Sequence, residues 1–130
     1  MPGVGPLERA VLDRLWDADR PLSIREVLEA LGPDHPVTFN TVMTVMNRLV
    51  EKGLLRRSGK RRRYLYQPAL SRREYLGRSS YQQMESLLAE MGPLALAGFV
   101  DAAADADPAY LRRLAELIRH REASSDSREG

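Results

Sequence analysis

The chain has 130 residues, which suits one domain or two very small ones, and its 43% hydrophobic and 29% charged residues are ordinary values for a folded protein. It has no cysteine, which excludes a disulfide framework and thiolate metal sites, and no apolar run long enough to span a membrane. The net charge is only +2, but residues 1–70 carry twelve basic and eight acidic side chains while residues 71–130 carry eight and ten. This asymmetry predicts a polyanion partner for the first part alone.

Two helices are predicted at the start of the chain, from apolar residues that recur at three- and four-residue steps. The first spans Leu7–Ala18 and ends before Pro21, which cannot continue the helical hydrogen bonds. The second spans Ser23–Leu31, where Ser23 and Glu26 have the spacing of a capping box.

The third predicted helix has an unusual exposed face. Thr38 can cap its first turn, and Gly53 ends it after about Lys52. Its apolar face holds Val42, Val45, Met46, Leu49 and Val50. A helix that merely faces water tends to carry Glu and Lys, but the opposite face here is polar and mostly uncharged: Asn40, Thr41, Met43, Thr44, Asn47 and Arg48.

A basic β-hairpin is predicted to follow. Leu54–Arg57 and Arg63–Gln67 suit strands, and Pro68 closes the second one. The turn covers residues 58–62, where Gly59 can take a left-handed conformation. Taken alone, this basic turn could equally be a solvated loop.

Three more helices are predicted after the hairpin, over residues 71–90, 94–104 and 108–121. Ser71 and Glu74 form a second capping box, and Gly92-Pro93 separates the first two of these helices. The tail, residues 123–130, is small, polar and charged, and is predicted to be disordered.

The order of these elements predicts a mostly α (α+β) fold. Three helices and a basic hairpin make a winged helix-turn-helix domain over residues 1–70, followed by a small helical region over 71–122 and the tail. A helix fits the major groove of DNA with its N-terminal residues at the base edges, and a basic turn can hold the phosphate backbone without choosing a sequence. We therefore predict a sequence-specific transcriptional regulator that binds double-stranded DNA.

The residues predicted to contact DNA fall into two sets. Asn40 can offer a donor and an acceptor to adenine, and the methyl group of Thr44 can pack on thymine. The candidate base-reading residues are Thr38, Asn40, Thr41, Met43, Thr44, Asn47 and Arg48. The candidate contacts of the hairpin, or wing, with the DNA backbone are Lys60, Arg61, Arg62, Arg63 and Tyr66.

Neither a cofactor nor a metal site is predicted. The two histidines, His35 and His120, lie far apart and in no metal-ligand spacing. The N-terminus lacks the basic and then apolar order of a secretory signal, so we expect a cytoplasmic protein without a membrane partner.

The sequence favours a DNA-binding regulator over two other classes of protein. A winged-helix module that binds only proteins rarely carries a Lys-Arg-Arg-Arg turn beside a polar, uncharged helix face. An enzyme is disfavoured because the sequence shows no nucleophile set, no phosphate-binding glycine loop and no carboxylate pair with evident partners.

The motifs resemble a known family. Residues 41–55 (TVMTVMNRLVEKGLL) followed by residues 63–68 (RYLYQP) are similar to the penicillinase repressor (BlaI/MecI) family of winged-helix repressors. Residues 7–16 (LERAVLDRLW) and 94–100 (LALAGFV) fit as well, so that the resemblance covers about residues 5–122.

The resemblance implies a repressor that binds a palindromic operator as a homodimer through its C-terminal helices. This assigns dimerisation to residues 71–121, whose three short helices have too little apolar surface for a core of their own. The candidate dimerisation residues are Leu76, Met84, Leu87, Leu88, Leu94, Phe99, Leu111, Leu114 and Ile118.

The resemblance does not carry over a way of switching the repressor off. Antibiotic-responsive members are cleaved at an Asn–Phe pair, where this chain has Gly98-Phe99, which puts induction by a protease in doubt. Copper-responsive members bind the metal through C-terminal cysteines, which this chain lacks. An inducer or protease partner is therefore left unidentified.

Overall fold

A computed structural model describes residues 4–129 of the chain and confirms the predicted mostly α, winged-helix fold. The element order of the described part follows the predicted order closely. The elements are α1 (Pro6–Ala18), α2 (Ile24–Leu31), a 3₁₀ turn (Gly32–Asp34), α3 (Phe39–Glu51), β1 (Leu55–Ser58), β2 (Leu65–Pro68), α4 (Arg72–Met91), α5 (Pro93–Ala106) and α6 (Ala109–Glu129).

The helix starts that the sequence predicts are confirmed by their hydrogen bonds. Ser23 and Glu26 bond reciprocally at 3.0 and 3.1 Å at the start of α2. Ser71 and Glu74 do the same at 3.2 and 3.0 Å before α4. Thr38 Oγ1 accepts from the backbone of the first turn of α3, so each start is fixed by a local side chain that satisfies an otherwise unpaired amide.

The first compact unit extends to Tyr81 and contains the winged helix. Helices α1, α2 and α3 pack around one apolar core, onto which the hairpin closes. The buried residues are Val11, Leu12, Leu15, Leu22, Val27, Leu31, Val42, Val45, Met46, Leu49, Leu54, Leu55, Tyr66 and Leu70. Val50, predicted as part of the buried face of α3, is half-buried against this core.

The hairpin is antiparallel, with Arg57 opposite Tyr66. Leu22 extends it on the other side of β2, where its amide donates to the Tyr66 carbonyl at 2.9 Å and its carbonyl accepts from the Tyr66 amide at 2.8 Å. Strand β2 is therefore held on both edges, and the wing is anchored to the segment between α1 and α2.

The first unit reaches beyond the predicted domain boundary at residue 70, because the first turns of α4 pack on α1. Trp16 and Tyr75 have ring centroids 5.4 Å apart, and Arg72 forms a 2.9 Å ion pair with Asp17.

The second compact unit begins at Gln82 and consists of the end of α4, α5 and α6. The prediction of a disordered tail is wrong for residues 123–129, which continue α6, because no glycine or proline interrupts the chain between Arg121 and Glu129. Gly130 lies outside the described residues. None of the helices within residues 4–129 combines the length and the apolar character needed to cross a bilayer.

An ion pair joins the first helix of the fold to the third. Lys52 Nζ, just after α3, donates to Glu8 Oε2 on α1 at 2.8 Å, and the Gly5 amide donates to Glu8 Oε1 at 3.3 Å. Burial acts to raise the pKa of the Glu8 carboxyl, but these hydrogen bonds and the positive charge of Lys52 outweigh it, so the pKa lies below its ordinary value.

We predict that Glu8→Gln makes stability less dependent on pH. A carboxyl whose pKa is lowered by folding stabilises the fold above its unfolded pKa, and this contribution is lost as the pH falls through the folded pKa. The variant should lose about 1 kcal/mol of unfolding free energy at neutral pH, and the difference from wild type should narrow in acid. Denaturation followed by the fluorescence of Trp16 measures this, with exposed Glu51→Gln as the control; a difference constant with pH would contradict it.

Candidate nucleic-acid interface

The predicted base-reading residues share one exposed face of α3. Asn40, Thr41, Thr44 and Arg48 are exposed, and Met43 is 36% exposed beside them. They follow the N-terminus of the helix, which presents backbone amides and a partial positive charge. The structure thus places together a patch of amide, hydroxyl, thioether and guanidinium groups.

Two of the predicted threonines are hydrogen-bonded to each other. The Thr38 hydroxyl caps α3 by accepting from the Thr41 amide at 3.2 Å, and the two hydroxyl groups lie 3.0 Å apart. Both side chains are exposed, so each hydroxyl keeps bonding capacity toward solvent or a ligand while its position is fixed.

Asn47 occupies the junction between α3 and the wing. Its Oδ1 accepts from the Tyr66 hydroxyl at 3.0 Å and from the Arg57 guanidinium at 3.1 Å. Asn47 is half-buried and its side-chain oxygen is used inside the fold, where it positions Arg57 and Tyr66, while its predicted contact with a base stays a prediction.

The prediction that Tyr66 contacts the DNA backbone is wrong. Its side chain is only 1% exposed and belongs to the core of the first unit. The alternation of strand β2 explains the error, because Leu65 and Gln67 point outward while Tyr66 points in.

The remaining predicted wing residues, Lys60 to Arg63, are all exposed at the tip of the hairpin. The turn is closed by the Arg63 amide, which donates to the Lys60 carbonyl at 2.8 Å. Gly59 has the left-handed conformation predicted for it, with φ 92°, and a Cβ there would lie 2.7 Å from the Arg63 carbonyl oxygen. Arg62 also has a positive φ, 77°, a conformation that costs a residue with a side chain about 1–2 kcal/mol.

Two arginines that were not predicted as site residues border the same surface. Arg57 lies 4.2 Å from the centre of the Tyr64 ring in the wing, and Arg25 lies 5.5 Å from the centre of the Phe39 ring on α3. Arg57 stood in the basic stretch of the sequence without an assigned role. Arg25 gave no signal, because an arginine on the outer face of a helix is ordinary.

A groove of about 940 Å³ separates α3 from the wing. Its lining includes the apolar side chains of Phe39 and Met43 from α3 and Leu65 from β2, and five arginines. These arginines are Arg25, Arg57, Arg61, Arg62 and Arg63. Such a groove can accept both a polyanion, through the arginines, and apolar groups.

The predicted dimerisation residues are exposed in the single chain, apart from the half-buried Leu114. In the second unit, an apolar groove of about 450 Å³ lies between the end of α4 and α5 and is lined by Met84, Leu87, Leu88, Met91, Leu94, Ala95, Leu96, Gly98 and Phe99.

A model of the penicillinase repressor family matches residues 4–120 of the chain. The chain belongs to the penicillinase repressor family. It is also similar to the transcriptional regulator BlaI of Mycobacterium tuberculosis, in strain CDC 1551 / Oshkosh and in strain ATCC 25618 / H37Rv. In both cases 36% of 118 aligned residues are identical, over 88% of this chain and 84% of the relative.

Membership of the penicillinase repressor family confirms the resemblance predicted over residues 5–122 and places the chain among DNA-binding transcriptional repressors. Among solved structures, the Giardia lamblia Hop2-Mnd1 complex matches 94% of this chain and 81% of its own with a TM-score of 0.37 and 14% identity. That similarity is too weak to bear on the fold or the function.

For this penicillinase repressor family member we predict that Asn47→Ala lowers the free energy of unfolding by about 1–3 kcal/mol, because it leaves the buried Tyr66 hydroxyl without its partner. The double variant Asn47→Ala/Tyr66→Phe also removes the unpaired hydroxyl. Its loss of unfolding free energy should therefore be smaller than the sum of the losses of the two single variants.

Asn40→Ala is the matched control, since Asn40 is exposed on the same helix and its loss should change stability by less than about 0.5 kcal/mol. Chemical denaturation followed by the fluorescence of Trp16 gives all four values. Equal effects of Asn47→Ala and Asn40→Ala would refute the positioning role.

Proposed function

We propose that this chain represses transcription by binding a palindromic operator as a homodimer, with α3 in the major groove and the wing on the adjacent backbone. One observation carries the proposal: α3 has an exposed polar face near its start, and the same helix lines, through Phe39 and Met43, a groove that five arginines also line. Base edges require hydrogen-bonding and methyl groups, whereas phosphates require positive charge, and these two kinds of group are separated here in space.

The base-reading role falls on the exposed residues of α3. Asn40 can bond bidentately to an adenine, and the methyl groups of Thr41 and Thr44 can meet thymine. Met43, between them on this face, offers apolar contact, and Arg48 reaches a phosphate or a guanine two turns further on. Because Thr38 and Thr41 fix each other, part of this face is already ordered before DNA arrives.

The wing supplies affinity that does not depend on sequence. Lys60 to Arg63 place four positive charges at the tip of a hairpin whose base is fixed by the Tyr66 and Leu22 backbone bonds. Arg57 adds a fifth charge, which Asn47 and the Tyr64 ring hold at the border of the groove.

The homodimer is supported by what the second unit leaves uncovered. None of residues 82–126 is buried in the single chain, and large apolar side chains there are up to 71% exposed. A helical unit without a buried residue gains too little from hydrophobic burial to offset its conformational entropy. A second copy of the same surface would bury it through a two-fold interface.

Gly98 and Phe99 fit this dimer role better than a cleavage role. Both lie inside α5 and line its apolar groove, and Phe99 is exposed in the single chain. We therefore propose that Phe99 contributes apolar surface to the dimer.

Selection of bound sequences from random DNA tests the proposal as a whole. The expected result is a near-palindrome whose half-sites lie about one helical turn, ~34 Å, apart. A selected site without two-fold symmetry, or no enrichment at all, would contradict the proposed operator.

We predict that variants of α3 and of the wing fail in different ways on the selected site. Replacing Arg61, Arg62 and Arg63 with Ala should weaken binding to every DNA and make the salt dependence of log affinity shallower by about 0.9 for each phosphate that the variant no longer neutralises. Thr44→Ala should cost about 1–3 kcal/mol on the selected site while leaving random DNA unaffected.

Titrations of both variants against the selected site and a scrambled duplex, over a series of salt concentrations, separate the two roles. Each variant serves as the control for the other. An unchanged salt slope in the wing variant would show that those arginines do not contact the DNA backbone. An equal loss of affinity for both duplexes in Thr44→Ala would show that Thr44 does not read a base.

A further inference from the structure

The winged helix exposes three large apolar side chains, and they lie in one place. Between residues 4 and 70, the exposed large apolar side chains are Phe39, Met43 and Leu65, at 37%, 36% and 40%. All three line the groove of about 940 Å³ between α3 and the wing. Single exposed apolar residues are common on protein surfaces, but a cluster of them in a groove indicates a place where a partner binds. We call these three residues the apolar trio.

Phe39 stands at the end of α3 that meets the bases in the proposed complex. It is the first residue of the helix, and Met43 follows it by four positions, so the two side chains are neighbours on one face of α3. The N-terminal residues of a recognition helix contact base edges. Phe39 therefore occupies a base-contacting position, although it is absent from the set predicted from the sequence.

Arg25 of α2 lies against the Phe39 ring. Its guanidinium is 5.5 Å from the ring centre, a distance at which a cation and the face of an aromatic ring attract each other. The ion pairs among the described residues do not include Arg25. The contact restricts the positions open to the Phe39 ring and keeps a positive charge next to it.

The charge of the groove narrows the choice of partner. Five arginines line it, and none of the described residues that line it is acidic. A partner that covers the apolar trio beside this charge must combine negative charge with small apolar groups. The major groove of DNA meets both requirements, because phosphates run along it and each thymine presents a C5-methyl group in it. An acidic peptide would also meet them, but the polar face of the same helix and the family of the chain favour DNA.

We propose that Phe39, with Met43 beside it, contacts the C5-methyl group of a thymine in each half of the operator and so selects thymine over cytosine, which lacks that methyl group. The inference rests on the proposed function, since it needs α3 in the major groove. It adds a base-reading residue that makes no hydrogen bond. Its contribution comes from burying a methyl group on an aromatic ring, and should therefore not depend on salt, unlike the contribution of the arginines.

The experiment replaces thymine with uracil in the palindrome selected from random DNA, one symmetric pair of positions at a time. Uracil keeps the hydrogen bonds of the base pair and lacks only the C5-methyl group. At one position, full-length wild type should lose affinity about fourfold for each methyl group, since burial of such a group is worth about 0.8 kcal/mol. The loss should be roughly fifteenfold for the pair and equal at every salt concentration.

Variants of the chain identify the residue that reads the methyl group. Phe39→Ala should bind the thymine palindrome more weakly and should no longer distinguish uracil from thymine at that position. Phe39→Gln, which keeps a long side chain but makes it polar, should give the same result if Phe39→Ala fails to fold.

Two controls accompany these variants. Tyr81→Ala removes a 68% exposed aromatic ring that does not line the groove, and it should keep the wild-type response to uracil. Thr44→Ala should lose affinity yet keep the response at the position that Phe39→Ala abolishes, because the methyl group of Thr44 is proposed to meet a different thymine.

The outcomes separate the inference from the proposed function. If no DNA sequence is enriched, the proposed function fails and the inference fails with it. If wild type binds a palindrome that has no thymine in its half-sites, or binds the uracil versions as tightly as the thymine version, the operator stands but the methyl contact does not exist. That second result is also expected if an acidic peptide occupies the apolar trio. A uracil response that is unchanged in folded Phe39 variants would likewise overturn the inference.

Discussion

The position of Tyr66 is the constraint on which the candidate DNA interface depends. Its backbone pairs with Leu22 on one edge and lies opposite Arg57 on the other, its ring is buried in the core, and its hydroxyl donates to Asn47 on α3. Through this one residue the wing, the segment before α2 and helix α3 are held in a fixed geometry. A wing that moved freely against α3 would have to be ordered on every binding event, at the expense of affinity.

In this arrangement two different surfaces are proposed to contact DNA, one at the bases and one at the phosphates. The face of α3 offers short polar and methyl-bearing side chains, which suit hydrogen bonds and apolar contacts at base edges. The wing offers long, charged side chains at the tip of a hairpin, which suit phosphates at variable distances. The family match places the chain among DNA-binding repressors, and the proposed second copy would double both surfaces and explain why apolar side chains of the second unit are left exposed.

Much of this could be predicted from the sequence, because local signals determine it. The capping boxes at Ser23 and Ser71 fix helix starts through residues three positions apart, and the glycine of the wing has the conformation that a tight turn needs. What failed depends on contacts between distant residues. Nothing near Asn47 in the sequence reveals that its side-chain oxygen accepts a hydrogen bond from the Tyr66 hydroxyl. Likewise, a tyrosine in a basic strand is compatible with a DNA contact as well as with a place in the core.

The errors at the C-terminal side have a similar origin. The boundary was predicted at residue 70 because the packing of Trp16 on Tyr75 joins residues that are far apart in sequence. Residues 123–129 were predicted to be disordered from their polar composition, although they contain no helix-breaking residue and continue α6. Arg25 and Arg57 could be assigned to the interface only when their aromatic partners were located in three dimensions.

The central claim is that the exposed face of α3 lies against base edges, once in each half of a two-fold site. Because the chain has no cysteine, Thr44→Cys provides a single attachment point for a photoreactive label, and cross-linking to the selected palindrome can be mapped to the nucleotide. The account predicts cross-links to bases at two positions related by the symmetry of the site. Cross-links to one half only, or spread equally over a scrambled duplex, would contradict it.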